Sequence, residues 1–128
     1  MAQVLLLVVE DEPILAAAIK RHLQKTGYKV AATANSGESA INQAEKFRPD
    51  LVLMDIKLAG AMNGIEAAQE IFTRLQIPVI YLSAYGDEQT IRRAQEIHPF
   101  GYLKKPFSKS ELQNAIETAL NQRRIMPK

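Results

Sequence analysis

Carboxylates stand directly after two apolar runs of the chain. Asp55 follows the run 51–54, and Glu10 and Asp11 follow the run 4–9. Runs of this length and composition are typical of strands that are buried on both faces. In an open parallel sheet, ligands bind outside the carboxyl ends of the strands, so the three carboxylates are expected to share one site. We predict that Asp55 is the residue on which the chemistry takes place.

A hydroxyl and two lysines follow later apolar runs. Ser83 ends the run 79–82, and Lys104 and Lys105 follow the run that begins at Phe100. Carboxylates placed close together repel one another unless a cation neutralises them, and Mg²⁺ is a hard cation held by carboxylates, waters and phosphate oxygens. A lysine pairs with phosphate, and a serine can donate a hydrogen bond to a phosphoryl oxygen. The set therefore suits a carboxylate nucleophile that accepts a phosphoryl group and becomes an aspartyl-phosphate.

Each of these residues has a simpler explanation when it is taken alone. Asp11 and Glu12 could be ordinary acidic residues in the first turn of a helix. Ser83 alone is uninformative, and a lysine before a proline is usually a surface residue. Asp55 is harder to explain in this way, because a buried strand end is a costly place for an unpaired charge. The functional interpretation depends on all of these residues lying at the same edge of one sheet.

The segments that must bring these residues together alternate between strand and helix. Apolar runs predict strands over residues 4–9, 28–34, 51–55, 78–83 and 100–104. Helices are predicted to begin at Pro13, Ser36, Asn63, Glu88 and either Ser108 or Ser110. Five strands alternating with five helices predict right-handed βαβ units and a parallel α/β sheet covered by helices on both faces. We expect one domain over residues 1–128.

Two of the predicted helices carry more specific expectations. The helix predicted over 88–97 has only a thin apolar stripe, so it is a candidate for movement or for contact with a partner. The first helix is predicted to bury one apolar face, which consists of Ile14, Leu15, Ala18, Ile19 and Leu23.

Composition and charge narrow the functional class. The 128 residues are 47% hydrophobic and 23% charged with a net charge of +2, which is ordinary for a soluble globular domain. Basic residues are not concentrated, and Arg123 and Arg124 fit a solvated helix end, so no nucleic-acid partner is expected. The chain has no cysteine, which excludes disulfides, thiolate metal sites and a cysteine nucleophile.

The apolar runs also argue against a membrane partner. No run approaches the roughly 20 residues of a membrane span, and the first run lacks the basic flank and cleavage site of a signal peptide. A cytoplasmic location is expected. The two isolated histidines, His22 and His98, are predicted to be surface or packing residues rather than ligands.

Four segments resemble the receiver domain of two-component response regulators, of the single-domain kind typified by the chemotaxis regulator. The matching segments are Val8–Pro13, Pro49–Asp55, Pro78–Ala84 and Gly101–Phe107. They are spread along the chain in the family's order, so the resemblance covers essentially its whole length. The resemblance implies a doubly wound (βα)5 flavodoxin-like fold with strand order 2-1-3-4-5. It also implies a signalling switch rather than an enzyme, without an output domain in this chain.

The resemblance assigns the phospho-acceptor and its metal. Asp55 would take a phosphoryl group from a phosphohistidine on a histidine kinase or a histidine phosphotransfer protein. Mg²⁺ would be held by the side chains of Glu10, Asp11 and Asp55 and by the backbone carbonyl of Lys57. The cofactor is thus expected to be Mg²⁺.

The resemblance also assigns the residues that sense the phosphoryl group. Ser83 and Lys105 would bind it, with Lys105 favoured over Lys104 because it precedes Pro106, where the family's peptide bond is usually cis. Tyr102 matches the switch aromatic, although an ordinary half-buried strand tyrosine remains an alternative. Its inward turn would reshape the surface of the fourth helix, fifth strand and fifth helix for a downstream protein target or a homodimer.

The loop after Asp55 departs from the family pattern. The family usually has a proline four residues after the acceptor and a glycine eight residues after it, whereas this chain has Ala59 and Asn63, with Gly64 one residue later. The loop 57–63 is therefore predicted to carry one extra residue, and its shape is left open. Lys57 and Tyr85 occupy positions that tune the lifetime of the phosphate, but the lifetime itself cannot be predicted from them.

Other functions were weighed against the receiver interpretation. A phosphatase of the haloacid dehalogenase type needs a second carboxylate two residues after the nucleophile, where this chain has Lys57. A flavin-binding domain would need a phosphate-binding loop rich in Ser, Thr and Gly after the first strand. A receiver-like binding module that does not depend on phosphorylation, and a receiver domain excised from a larger hybrid kinase or regulator, are the remaining alternatives.

Overall fold

The protein forms a five-stranded parallel sheet. The computed structural model describes residues 3–58, 60, 62–84, 89, 92 and 101–125. The strands are β1 (Leu5–Val9), β2 (Lys29–Ala34), β3 (Leu51–Asp55), β4 (Val79–Ser83) and β5 (Tyr102–Lys104). All neighbouring strands are parallel and their order is β2-β1-β3-β4-β5. The predicted fold class and strand order are confirmed.

Helices cover both faces of the sheet. The described helices are α1 (Pro13–Thr26), α2 (Gly37–Phe47), α3 (Gly64–Leu75) and α4 (Lys109–Ile125). The last of these corresponds to the fifth helix of the sequence prediction. Of the helix predicted over 88–97, all residues but 89 and 92 lie outside the described residues, as do Tyr85, His98 and Phe100. Among the described helices, none combines the length and the apolarity needed to cross a membrane.

The core consists of two layers, one on each face of the sheet. Successive side chains of a strand point to opposite faces, so β3 places Val52 and Met54 in the layer under α2 and α3. Its other apolar residues, Leu51 and Leu53, lie in the layer under α1 and α4. Every residue of β3 and β4 is buried, which is the reason for their uninterrupted apolar sequences.

Side-chain caps set the start of two helices. Asn63 and Glu66 form a reciprocal capping box at the start of α3, as the sequence predicts for Asn63. Ser108 and Glu111 exchange the same pair of bonds before α4, with the Ser108 Oγ accepting from the Glu111 N–H and the Glu111 Oε1 accepting from the Ser108 N–H. Ser108, rather than Ser110, therefore begins the last helix.

The predicted inward face of α1 is wrong in part. Ile19 and Leu23 are buried as expected, but Ile14 is 88% exposed, and the buried residue of the first turns is Ala16. Residues two positions apart in an α-helix point about 200° apart around its axis, so a helix that buries Ala16 must turn Ile14 to the opposite side. Ala18 is exposed as well.

Candidate functional site

Three carboxylates meet at the carboxyl end of the sheet. Val9 of β1 pairs with Met54 of β3, so the next residues along the two strands, Glu10 and Asp55, end at the same level. Carboxylate oxygens of Glu10, Asp11 and Asp55 lie within 4.8 Å of one another. Glu10 and Asp55 are buried, whereas Asp11 is exposed. The predicted cluster is thus present, with two members in the interior and one at its rim.

Lys105 bridges the two buried carboxylates. Its Nζ lies 2.8 Å from the Glu10 Oε1 and 3.3 Å from the Asp55 Oδ2. Its backbone N–H donates to the Ser83 carbonyl oxygen at 2.7 Å, and its peptide bond to Pro106 is cis. Lys104, by contrast, is exposed on β5. The structure therefore brings to the site the lysine that precedes Pro106.

The three buried or half-buried charges perturb one another. Burial and the neighbouring carboxylate of Glu10 raise the pKa of Asp55 from its ordinary 3.8 to about 7, against the opposing charge of Lys105. Burial acts to raise the pKa of Glu10 too, but hydrogen bonds with Asp55 and Lys105 outweigh it and lower that pKa. Burial acts to lower the pKa of Lys105, yet its bonds with both carboxylates raise it. The carboxylate pair accordingly carries one proton on Asp55 when no cation is bound below about pH 7.

Ser83 lies at the same edge on the neighbouring strand. Asp55 pairs in register with Leu82, so Ser83 is one residue beyond the level of the acceptor candidate. The side chain is buried, and its Oγ donates a hydrogen bond to the Leu103 carbonyl oxygen of β5 at 3.3 Å. In this state the hydroxyl therefore ties β4 to β5.

The loop after Asp55 is closed by a glycine. A Cβ atom at Gly64 would lie 1.9 Å from the Asp55 carbonyl oxygen, and the Gly64 N–H donates to the Ile56 carbonyl oxygen at 2.9 Å. Only glycine allows this approach of the two backbones. Earlier in the loop, the Lys57 N–H donates to the Asp55 Oδ1 at 3.3 Å. Gly64 thus lies directly against the end of β3.

Comparisons with known proteins decide the family. Residues 6–117 match the family model of the response regulator receiver domain. The chain belongs to this family.

The relatives of this receiver domain are mostly longer proteins. It is 36% identical over 115 residues to the transcriptional regulatory protein PdtaR of Mycobacterium tuberculosis, covering 90% of this chain and 56% of that protein. It is 31% identical over 121 residues to the transcriptional regulatory protein PhoP of Bacillus subtilis, covering 94% of this chain and 50% of PhoP. The chain therefore spans about half the length of these curated relatives.

Solved structures show the same fold. The signal receiver domain of a modulated diguanylate cyclase from Desulfovibrio desulfuricans G20 superimposes with a TM-score of 0.89 at 35% identity, over 97% of this chain and 98% of that one. The receiver fold is thereby shared over almost the full length of both chains.

Two tyrosines of the receiver domain lie side by side. Tyr81 of β4 pairs in register with Tyr102 of β5. Tyr102 is 45% exposed, whereas Tyr81 is fully buried, and its hydroxyl has no hydrogen-bond partner within the described residues. Sequence reasoning singled out Tyr102 and missed Tyr81. The signal was a tyrosine inside an otherwise apolar strand, two residues before Ser83 and thus on the same face.

A cavity opens beside the carboxylates of the receiver domain. It has a volume of about 450 Å³, lies between α1 and the loop that follows β2, and is lined in part by Glu10, Asp11, Lys20 and Asn35. Solvent and small ligands can therefore approach the acidic cluster from this side. Sequence reasoning singled out neither Lys20, which lies within α1, nor Asn35, which directly follows β2 at the same edge of the sheet.

Proposed function

We propose that this receiver domain is a phospho-accepting switch of two-component signal transduction in the cytoplasm. Asp55 takes a phosphoryl group from a phosphohistidine on a histidine kinase or a histidine phosphotransfer protein. The observation that carries the proposal is the placement of Asp55: a buried carboxylate at a strand end, contacted by Lys105 and adjacent to Glu10. Membership in the receiver family supports the same role.

The donor set fits Mg²⁺. Three carboxylate oxygens within 4.8 Å of one another are hard ligands of the kind that Mg²⁺ prefers. Two of them belong to the buried pair Glu10 and Asp55, in which a proton on Asp55 avoids a second negative charge. A divalent cation can replace this proton. Glu10, Asp11, Asp55 and the Lys57 carbonyl would hold the ion. When bound, Mg²⁺ supplies positive charge that offsets the negative charge on the oxygens of a phosphoryl group.

The chain's own residues perform the transfer. An Asp55 carboxylate oxygen forms a bond to phosphorus while the bond from phosphorus to the histidine nitrogen breaks, and the leaving imidazole keeps that electron pair and takes a proton. Asp55 must lose its proton first, because only the carboxylate is nucleophilic. The Lys105 ammonium then lies beside the new phosphoryl oxygens and pairs with their charge.

Phosphorylation changes the bonding of β4 to β5. The Ser83 hydroxyl can turn from the Leu103 carbonyl oxygen to a phosphoryl oxygen, which removes one tie between the strands. Tyr102, half exposed on β5, then turns inward. The changed surface, formed by the segment 88–97, β5 and α4, binds a downstream protein target or a second copy of the chain.

An exposed apolar surface beside the site suits the partner that donates the phosphoryl group. Ile14 is 88% exposed in the first turn of α1, shortly after the acidic residues. A groove of about 190 Å³ continues from α1 to the start of α4 and is lined in part by Leu15, Ile19, Phe107 and Leu112. Phe107 follows Lys105 by two residues along the chain, and Ile14 directly precedes Leu15, which lines the groove. A helix that carries the phosphohistidine would bury Ile14 beside this groove.

Intact-protein mass after incubation with acetyl phosphate tests the function. The wild type is expected to gain one phosphoryl group in the presence of Mg²⁺ and to lose it in hydroxylamine, which cleaves acyl phosphates. Asp55→Asn should abolish the gain. Asp50→Asn is the matched control, because Asp50 lies before β3 at the opposite end of the strand and accepts the Leu5 N–H there.

Two negative results have different meanings. A folded wild type that binds Mg²⁺ but gains no mass calls for a phosphorylated histidine kinase as donor. A folded wild type that neither gains mass nor binds Mg²⁺ contradicts the proposal and favours a binding module that does not depend on phosphorylation.

A further inference from the structure

The hydroxyl of Tyr81 is buried and has no hydrogen-bond partner among the described residues. The side chain is 0% exposed, and no described residue contacts its hydroxyl as donor or acceptor. A buried hydroxyl that has left water without gaining a partner is unfavourable, and such groups are uncommon in native structures. Burial raises the pKa of Tyr81 to about 12, so the hydroxyl stays protonated and can both donate and accept.

Tyr102 is the residue next to Tyr81 across the strands. The two are register partners in a parallel ladder, in which strands lie about 4.8 Å apart and paired side chains stand on the same face. The two side chains have the same length, so their hydroxyls can reach the same height above the sheet. In this state the Tyr102 side chain is 45% exposed.

The pair is linked to the phosphoryl site through Ser83. Ser83 follows Tyr81 by two residues, and its hydroxyl bonds the carbonyl oxygen of Leu103, the residue after Tyr102. The Tyr81 N–H also donates to the Gly101 carbonyl oxygen at 3.2 Å, just before Tyr102. If phosphorylation draws Ser83 away, as the proposed function requires, the backbone that carries Tyr102 loses one of these ties.

We propose that Tyr81 is a positioning residue for the switch, and that its hydroxyl hydrogen-bonds the hydroxyl of Tyr102 when Tyr102 turns inward. The bond exists only in the inward state, so it stabilises that state alone. The two strands are about 4.8 Å apart, and a small tilt of either ring shortens the distance between the two hydroxyl oxygens to the roughly 2.8 Å of an O–H···O bond. Tyr81 thereby biases the surface that meets the downstream partner. This inference rests on the proposed function.

The test measures the inward fraction in the full chain. Backbone amide signals of Leu103 and Lys104 in ¹H–¹⁵N NMR spectra report the position of β5 before and after acetyl phosphate and Mg²⁺, and intact mass gives the phosphorylated fraction of the same samples. Tyr81→Phe removes one oxygen and keeps the ring. At equal phosphorylation it is expected to lower the ratio of inward to outward molecules about three- to tenfold, the effect of one neutral hydrogen bond.

A double-mutant cycle separates this bond from a general effect on packing. Tyr102→Phe should lower the ratio as much as Tyr81→Phe, and the double variant should lower it no further. Tyr28→Phe is the control, because Tyr28 packs in the other core layer, and its ratio should match the wild type.

The remaining outcomes overturn the inference. An unchanged ratio in Tyr81→Phe shows that the hydroxyl has the same surroundings in both states. Additive effects of the two variants show that its partner is not Tyr102. A wild type that gains no phosphoryl group from either acetyl phosphate or a phosphorylated histidine kinase refutes the proposed function and this inference with it, whereas a phosphorylated wild type with an unchanged ratio in Tyr81→Phe refutes the inference alone.

Discussion

Replacing Asp55, the proposed acceptor, by its amide should stabilise the metal-free protein. In the fold the pKa of Asp55 is about 7 instead of 3.8. At about 1.4 kcal/mol for each pH unit between the two values, keeping Asp55 ionised above pH 7 lowers the free energy of unfolding by about 4 kcal/mol. Asp55→Asn removes this cost, and the attraction of Lys105 is already included in the pKa of about 7. A gain of about 4 kcal/mol is expected at pH 8.

The sign of the pH dependence follows from the raised pKa. Below pH 3.8 Asp55 is protonated in both the folded and the unfolded state, so the wild type carries no cost. Between pH 3.8 and about 7 only the folded state holds the proton, and wild-type stability falls as pH rises through this range. The advantage of Asp55→Asn should therefore be near zero at pH 4 and complete at pH 8.

Thermal and denaturant unfolding measure this difference. A gain of about 4 kcal/mol corresponds to a rise in Tm of about 12–18 °C for a domain of this size. Adding Mg²⁺ should narrow the gap, because the ion stabilises only a folded state that binds it. Asp50→Asn, which keeps an oxygen for the Leu5 N–H, should show no such gain. An Asp55→Asn variant that is no more stable than wild type at pH 8 without Mg²⁺, or equally favoured at pH 4, refutes the reasoning.

Four further predictions follow from the geometry. The affinity for Mg²⁺, measured by titration calorimetry, should fall about tenfold per pH unit below pH 7, because the ion must displace the Asp55 proton. An affinity that does not change with pH would contradict the presence of a proton on Asp55 in the metal-free protein. Lys105→Met should lower the free energy of unfolding by about 1–3 kcal/mol at pH 8 in denaturant titrations, because it leaves two buried carboxylates without their cation, and a stable variant would show that water screens them. Gly64→Ala should lower the free energy of unfolding by more than about 3 kcal/mol, because the new Cβ clashes with the Asp55 carbonyl. Gly60→Ala should lower it by only about 1 kcal/mol in the same denaturant titrations, because its Cβ would meet no atom within 4 Å and only the φ of 97° is unfavourable. Similar losses in both variants would refute the close approach of Gly64 to Asp55. Ile14→Ala should leave stability and phosphorylation by acetyl phosphate unchanged, because Ile14 is exposed in the free protein. Phosphoryl transfer from a histidine kinase should slow about tenfold, because the interface loses one buried side chain. Equal transfer rates for the variant and the wild type would place the docking surface elsewhere.

Sequence patterns predicted the sheet well because its signal is local. The uninterrupted apolar run 51–54 reflects burial on both faces, and each carboxylate directly follows a strand that ends at the same edge. Adjacent strands then bring Glu10 and Asp55 together without any further information. The choice of Lys105 over Lys104 came from the family pattern, and the structure brings Lys105 to the carboxylates.

The features that the sequence could not predict depend on contacts between distant segments. The phase of α1 on the sheet exposes Ile14, although the helix contains enough apolar residues for two alternative faces. The pairing of Tyr81 with Tyr102 joins residues of two strands whose register is set by the whole sheet. The role of Gly64 depends on the distance between its backbone and that of Asp55, which spacing along the chain does not reveal.

The contact between Gly64 and the end of β3 bears on how receiver domains are detected in new sequences. The contact and the hydrogen bond to Ile56 hold the glycine at the end of β3, so the extra residue predicted from the family pattern would have to be accommodated between 57 and 63 rather than after the glycine. A search pattern that demands a glycine at a set count after the acceptor would reject this chain although its carboxylates and lysine are in place. A pattern that anchors both ends of the loop and lets the gap vary would retain it.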